Sequence, residues 1–318
     1  MDQVEQALKA FREGKLVGLP TETVYGLAAP SRSDTLVKKI FSLKERPFYD
    51  PLILHVTGSE MAKEFVSHWP EEAELLSKAF WPGPLTIILK KHSSVSDLIT
   101  AGLSSVGIRS PNSKMALDLI EKTGDALAAP SANKFTKTSP SCAEHVRETF
   151  SDQEVFVMDG GACQVGIEST IVSLLDVSEL KRVDILRPGM ISLEKIQNVL
   201  GRNIEVNTGK NAFEENAARL SPGLEKVHYS PLFPCGLVRH SNLSQVSEVK
   251  PFEFVELDSD PFVTAREVYT HLRKPLASEF DGRYFVIPSK EKLNFEEAQL
   301  WQSILDRLIK ASSLPIFL

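Results

Sequence analysis

The sequence predicts an α/β protein: a mixed sheet with flanking helices, followed by a smaller α/β unit. Three observations carry this. Short apolar runs of strand length are interspersed with runs of helical period. Several strand-like runs follow one another directly, which a strictly alternating parallel sheet would not show. A polar stretch over residues 201–231, carrying Ser221-Pro222-Gly223 and ending at Ser230-Pro231, reads as a linker. At 318 residues the chain is longer than one typical domain. The expected division is 1–205, a linker over 206–231, and 232–318.

Val4, Leu8 and Phe11 fall on one helical face, and Gly14 stops that helix. Leu16 to Leu19 is a buried strand running into Pro20. Ser33 or Asp34 caps a helix carrying Leu36, Val37, Ile40 and Phe41, which ends before Pro47. Leu52–Val56 is the next strand, and helices follow over Met61–His68 and Glu71–Phe80. Trp81-Pro82-Gly83-Pro84 breaks the chain before strands at Leu85–Leu89 and Val106–Arg109. Ser113 caps a helix that Gly124 terminates. Strands at Ala126–Ala129, Val155–Met158, Ser169–Leu175 and Val183–Leu186 and a helix at Leu193–Leu200 complete the first part. Beyond the linker, strands at Gly236–Val238, Phe252–Leu257 and Tyr284–Ile287 combine with helices at Ala265–Arg273 and Phe295–Lys310.

Composition narrows the function. The chain is 42% hydrophobic and 25% charged, with no apolar run long enough to span a membrane. Its first residues are charged and amphipathic, unlike a secretory signal, so a cytoplasmic location is expected. Three widely spaced cysteines form no C-x-x-C pair, and seven histidines show no metal-ligand spacing. A net charge of −6 disfavours tight non-specific binding to nucleic acid. Phosphate-loop, dinucleotide-binding, metalloprotease and nucleophile-elbow signatures are all absent.

Four segments place polar residues where buried strands end. Pro20-Thr21-Glu22-Thr23-Val24-Tyr25-Gly26-Leu27 follows the first strand; its hydroxyls either line a pocket or cap a turn. Lys44-Glu45-Arg46-Pro47 closes a stretch with five basic residues against two acidic ones, suited either to a helix C-terminus or to a polyphosphate. His55 ends an apolar strand and fits a hydrogen-bonded core position as well as a catalytic one. Arg109, ending Val106-Gly107-Ile108-Arg109, needs a carboxylate partner if buried, from protein or ligand. Ala128-Ala129-Pro130-Ser131-Ala132-Asn133 offers close backbone approach and neutral hydrogen bonds.

Taken in order, P-T-E-T-V-Y-G-L, K-x-R-P, P-L-I-x-H, W-P-G-P-L-T, V-x-I-R-x-P, S-A-N, E-S-T-I and R-P-G closely resemble the YrdC/Sua5 family over about residues 5–200. Ser221-Pro222-Gly223 through His228-Tyr229-Ser230-Pro231 resembles the linker of its two-domain Sua5 form. The resemblance implies a YrdC-like twisted, mixed open sheet with flanking helices, a small Rossmann-like C-terminal domain, and L-threonylcarbamoyladenylate synthesis from L-threonine, bicarbonate or CO2, and ATP. It implies Mg²⁺ accompanying ATP, no tightly bound organic cofactor, and a downstream transferase acting on adenosine 37 of tRNA, with tRNA contact weak or indirect.

By the same resemblance, Thr23, His55, Arg109 and Ser169 with the Ala129 backbone would hold threonine. Lys44 and Arg46 would be catalytic. Arg46, Asp50, Ser105, Ser131, Asn133, Ser139 and Arg187 would hold the nucleotide, with Tyr229 reaching over it from a lid-like linker. Asp50 stands where relatives are expected to carry asparagine, and a carboxylate there would repel triphosphate unless a cation intervenes. The alternatives are a carbamoyl-transfer enzyme of the hydrogenase-maturation type and an RNA-binding module.

Overall fold

The structure, a computed structural model, describes residues 2–208, 228–246, 251–288 and 293–318. Its first part holds strands β1 (Leu16–Leu19), β2 (Gly26–Pro30), β3 (Ile53–His55), β4 (Leu85–Lys90), β5 (Ser105–Arg109), β6 (Leu127–Ala128), β7 (Val155–Val157), β8 (Thr170–Ser173), β9 (Arg182–Arg187) and β10 (Glu205–Thr208). They form one mixed sheet in the order β10-β9-β8-β4-β5-β3-β6-β2-β1-β7. The helices are α1 (Gln3–Arg12), α2 (Asp34–Lys44), α3 (Ser59–Lys63), α4 (Glu71–Phe80), α5 (Asp97–Thr100), α6 (Lys114–Thr123), α7 (Ala143–Arg147), α8 (Val177–Leu180) and α9 (Leu193–Leu200).

Local chemistry explains the ends that position the site. Ser33 Oγ accepts from Leu36 N to start α2, which buries Leu36, Val37, Ile40 and Phe41. Burying each such side chain contributes roughly 1.5–3 kcal/mol. The helix ends at Glu45 in the left-handed region, φ 55°, which turns the chain so that Arg46 points back toward the sheet. Ser113 caps α6 in the same way, and Gly124 ends it at φ 67°.

Four expectations need correction. Gly26–Pro30 is a strand, β2, paired antiparallel with β1 and β6, where the sequence reading placed no strand. The helix expected over Met61–His68 stops at Lys63, because Phe65 and Val66 turn into the core and the chain there bonds to Lys90–His92. Residues 205–208 are no linker: they form the edge strand β10, parallel to β9. Their polarity reflects the exposed edge position. Ala143–Arg147 adds a short helix that the sequence reading lacks. The proposed lid's Ser221-Pro222-Gly223 lies outside the described residues.

The C-terminal part has an all-parallel sheet, order β12-β13-β11-β14, from β11 (Cys235–Arg239), β12 (Phe252–Glu256), β13 (Gly282–Ile287) and β14 (Ile316–Phe317). Helices α10 (Pro261–Arg273) and α11 (Phe295–Ala311) pack together beside it; Asn294 and Glu297 close α11 with a reciprocal capping box. Its core is not self-contained. Val24, Ile167 and Tyr229 belong to the same buried cluster as Leu237, Tyr269, Phe285 and Ile304. At Gly166, φ 82°, an added Cβ would stand 2.3 Å from the Ala265 carbonyl oxygen, so α10 approaches as close as the backbone allows. Among the described residues no helix is long and apolar enough to cross a membrane.

Candidate functional site

A cleft lies over the middle of the large sheet, lined by Thr21, Thr23, Gly26, Ile53, His55, Ala129, Pro130 and Ser131 on one side. Arg46, Arg109, Ser169, Glu168, Arg187, His228 and Tyr229 complete it. Parallel pairing of β3 with β5 sets His55 beside Arg109, and antiparallel pairing with β6 brings the Ala129 backbone to Ile53.

Arg109 is 4% exposed and held on three sides. Its Nε donates to Gly83 O at 3.1 Å and its Nη1 to Thr23 Oγ1 at 2.8 Å. Nη2 lies 2.6 Å from Glu22 Oε1, an ion contact without hydrogen-bond alignment: both Glu22 oxygens and Nη2 lack an aligned partner among the described residues. Gly83 explains the W-P-G-P segment, since an added Cβ would meet Phe80 O at 2.4 Å. The strand-end arginine therefore has its protein carboxylate in Glu22. Its fork is fixed for a second anion.

Arg46 and Arg187 supply the other cations. Arg46 Nε and Nη2 donate to the carbonyls of Asp50 and Pro51 at 3.1 and 2.7 Å, and Nη2 also meets Asp50 Oδ2 at 2.9 Å. Arg187 donates to Ser169 O and Ser169 Oγ, each at 3.1 Å, while Thr86 shares a hydrogen bond with the same hydroxyl. Three buried guanidinium groups thus line one cleft and give it a concentration of positive charge suited to anions.

Five expected residues stand outside the lining. Asp50, 3% exposed, faces Arg46, which answers the repulsion problem with an intervening cation. Lys44 is buried behind Ser131, donating to the carbonyls of Ser131 and Asn133 at 2.6 Å each. Burial, and then the Arg46 charge, hold its amine well below the ordinary lysine range. Asn133 donates to the carbonyls of Lys134 and Lys137, and Ser139 donates to Glu168 Oε1 at 2.7 Å. Ser105 starts β5, at the opposite end from Arg109, and lines a separate small cavity with Thr86, Thr100 and Ile171. Conversely, sequence reading took the Thr21 and Glu22 segment only as pocket lining or a turn and gave no ligand role to Thr21, Glu22, Glu168 or His228, although each sits inside a motif it quoted.

The described end of the linker is seated in the cleft. Tyr229, 1% exposed at φ 62°, stacks on Tyr269 at 5.6 Å, and its carbonyl accepts from Thr138 Oγ1 at 3.0 Å. A left-handed tyrosine costs on the order of 1–2 kcal/mol, which these contacts must offset. His228 and His55 are both buried, and each Nδ1 lacks a hydrogen-bond partner among the described residues. Burial pushes both imidazoles down to about 3, with Arg109 adding to the effect at His55.

The unfolded chain then binds protons that the folded chain refuses between pH 6.5 and 3, so stability falls as pH drops through that window. A loss of roughly 1 kcal/mol per pH unit for each histidine is expected. Urea midpoints measured from pH 8 to pH 5 test this. His228→Asn should flatten the slope; an unchanged slope would show that His228 is not buried as described.

The fold and the site together define a mixed α/β protein with a cleft lined by three buried arginines over its central strands. Comparison with known proteins narrows the class. Residues 9–189 match the Sua5/YciO/YrdC family model, described as telomere recombination, and residues 191–313 match the model of the threonylcarbamoyl-AMP synthase C-terminal domain. The chain belongs to the Sua5/YciO/YrdC family, in its two-domain form. It is 44% identical over 221 residues to a threonylcarbamoyl-AMP synthase of Pyrococcus abyssi, covering 70% of this chain and 63% of that protein. It is 40% identical over 240 residues to one of Bacillus subtilis, covering 75% and 67%. The alignments thus span about two thirds of these relatives' lengths. The crystal structure of P. abyssi Sua5 complexed with L-threonine is similar at TM-score 0.85 and 34% identity, over 100% of this chain and 96% of that one.

Proposed function

We propose that this chain makes L-threonylcarbamoyl-AMP and pyrophosphate from L-threonine, bicarbonate or CO2, and ATP. The observation that carries the reading is the Arg109 fork, fixed by Gly83, Thr23 and Glu22, in the same cleft as Arg46 and Arg187. The names of the two relatives and the threonine held by the P. abyssi neighbour support it.

The threonine amine attacks CO2, forming the N–C bond and releasing a proton to solvent. A carbamate oxygen then attacks the ATP α-phosphorus in line, and the bond to the β-phosphate breaks to release pyrophosphate. Neither step needs a protein nucleophile. The protein's tasks are alignment and charge neutralisation. Arg109, with Thr23, His55, Ser169 and the Ala129 backbone, holds threonine. Arg46, Arg187 and Ser131 hold the nucleotide under Tyr229, and Lys44, Asp50, Asn133 and Ser139 brace that side from behind.

Among the described residues no three His, Cys, Asp or Glu gather to hold a metal. Glu168, which lines the cleft, already accepts from Ser139 and Tyr269. Mg²⁺ would enter with ATP, mostly on phosphate and water, and lower the charge of the triphosphate. The product would pass, in the cytoplasm, to a transferase acting on adenosine 37 of tRNA.

Pyrophosphate release with ATP, Mg²⁺ and bicarbonate, with and without L-threonine, tests the reading. Release that needs both threonine and bicarbonate is expected. Absence of release from folded protein that binds ATP would favour carbamoyl transfer from another donor, and failure to bind ATP would favour the RNA-binding module.

A further inference from the structure

Glu168, which lines the cleft, is backed by helices of the C-terminal unit. Glu168, 7% exposed, has both oxygens engaged. Oε1 accepts from Ser139 Oγ at 2.7 Å; Oε2 accepts from the Tyr269 hydroxyl of α10 at 2.7 Å and lies 3.4 Å from Arg307 Nε of α11. Arg307 is fully buried, and its Nη1 donates to Pro188 O at 2.8 Å, the carbonyl directly after Arg187. Ser303, one turn earlier on α11, donates to Gly189 O at 3.3 Å. Arg273 of α10 donates to the carbonyls of Thr138 and Ser139 at 2.6 and 3.3 Å. Two helices of the second unit thus grip the R-P-G and Ser139 segments, both on the proposed nucleotide side.

We propose that Arg307 and Tyr269 are positioning residues for ATP: they hold the Glu168 carboxylate toward the C-terminal unit, so that Arg187 stays on Ser169. The inference rests on the synthase reading. It gives the second unit a part in substrate binding. Without Arg307, the buried negative charge of Glu168 has Arg187 as its neighbouring cation. Arg187 would then turn onto Glu168, and the cleft would meet the triphosphate with less positive charge. Arg109 would keep its contacts to Gly83, Thr23 and Glu22, while Ser169 would lose its Arg187 donor and keep Thr86. Burial raises the Glu168 carboxyl, but Arg307, Arg187, Ser139 and Tyr269 overcome that and bring it down to about 2. It is therefore ionised throughout the working range.

The test is calorimetric titration of the full chain with ATP and, separately, with L-threonine. Arg307→Met should weaken ATP binding about tenfold and L-threonine binding less, by about threefold at most, because Arg109 keeps its contacts and Ser169 keeps Thr86. Adding Glu168→Gln to that variant removes the charge that draws Arg187, so ATP affinity should return to within about threefold of wild type. A merely structural role for Arg307 would show no such recovery.

Tyr269→Phe removes one hydroxyl and is the milder variant should Arg307→Met fail to fold. It should cost about threefold in ATP affinity and be relieved by the same Glu168→Gln change. Unchanged ATP affinity in the folded single variants, or double variants no better than the singles, would overturn the proposal. Wild-type protein that fails to bind ATP would sink the synthase reading itself, and this inference with it. Wild-type binding with unaffected variants would sink the inference alone.

Discussion

Replacing Arg109 with alanine should lower kcat/KM for L-threonine by about two to three orders of magnitude while leaving ATP affinity within about threefold. The size follows from the fork. A guanidinium pinned by Gly83 O, Thr23 Oγ1 and Glu22 loses little entropy when it binds a carboxylate. Each charge-assisted hydrogen bond it makes is worth roughly 1.5–3 kcal/mol. The variant also removes the ion-pair partner that Glu22, 5% exposed, has among the described residues, which costs stability as well. Arg109→Lys separates the two effects. It keeps the charge against Glu22 but loses the fork, so stability should largely recover while threonine binding stays impaired. Steady-state kinetics with each substrate varied in turn decide the matter. Loss of ATP affinity with threonine unaffected would mean that the two ligands are exchanged in this cleft.

Arg109 was legible in the sequence because an arginine closing an apolar strand must be paired or placed in a site. Its partner Glu22 stands in a different motif, and only the pairing of β3 with β5 and the loop after β1 bring the two together. Lys44 shows the limit from the other side. A lysine two residues from an arginine at a helix end reads as a phosphate ligand, yet the structure turns it onto the carbonyls of Ser131 and Asn133, 87 and 89 residues away. Nothing local distinguishes those uses. The strand β2 escaped notice because Gly26-Leu27-Ala28-Ala29-Pro30 has no β-branched residue and no turn signal separating it from the preceding motif. Glu168 and Arg307 are 139 residues apart, and their meeting depends on how α11 packs, which residue spacing does not encode.

Replacing Arg46 with alanine should reduce kcat/KM for ATP by about ten- to a hundredfold, the worth of one charge-assisted phosphate contact. The structure adds a second expectation. Arg46 lines the cleft, whereas Asp50, on its far side, meets the same guanidinium at 2.9 Å. Alanine at position 46 therefore leaves a buried carboxylate with Lys44 as its nearby cation, and stability should drop by about 3 kcal/mol. The two losses have different causes and can be uncoupled. In Arg46→Ala/Asp50→Asn the carboxylate is gone, so stability should return while ATP turnover stays low. Asp50→Asn alone should leave ATP kinetics within about threefold of wild type, because the carboxylate braces Arg46 and does not face the nucleotide. Urea midpoints and ATP-dependent kinetics on the three variants make the comparison. If the double variant regains ATP turnover, Arg46 serves only to neutralise Asp50, and the phosphates must be held by Arg187 and its neighbours instead.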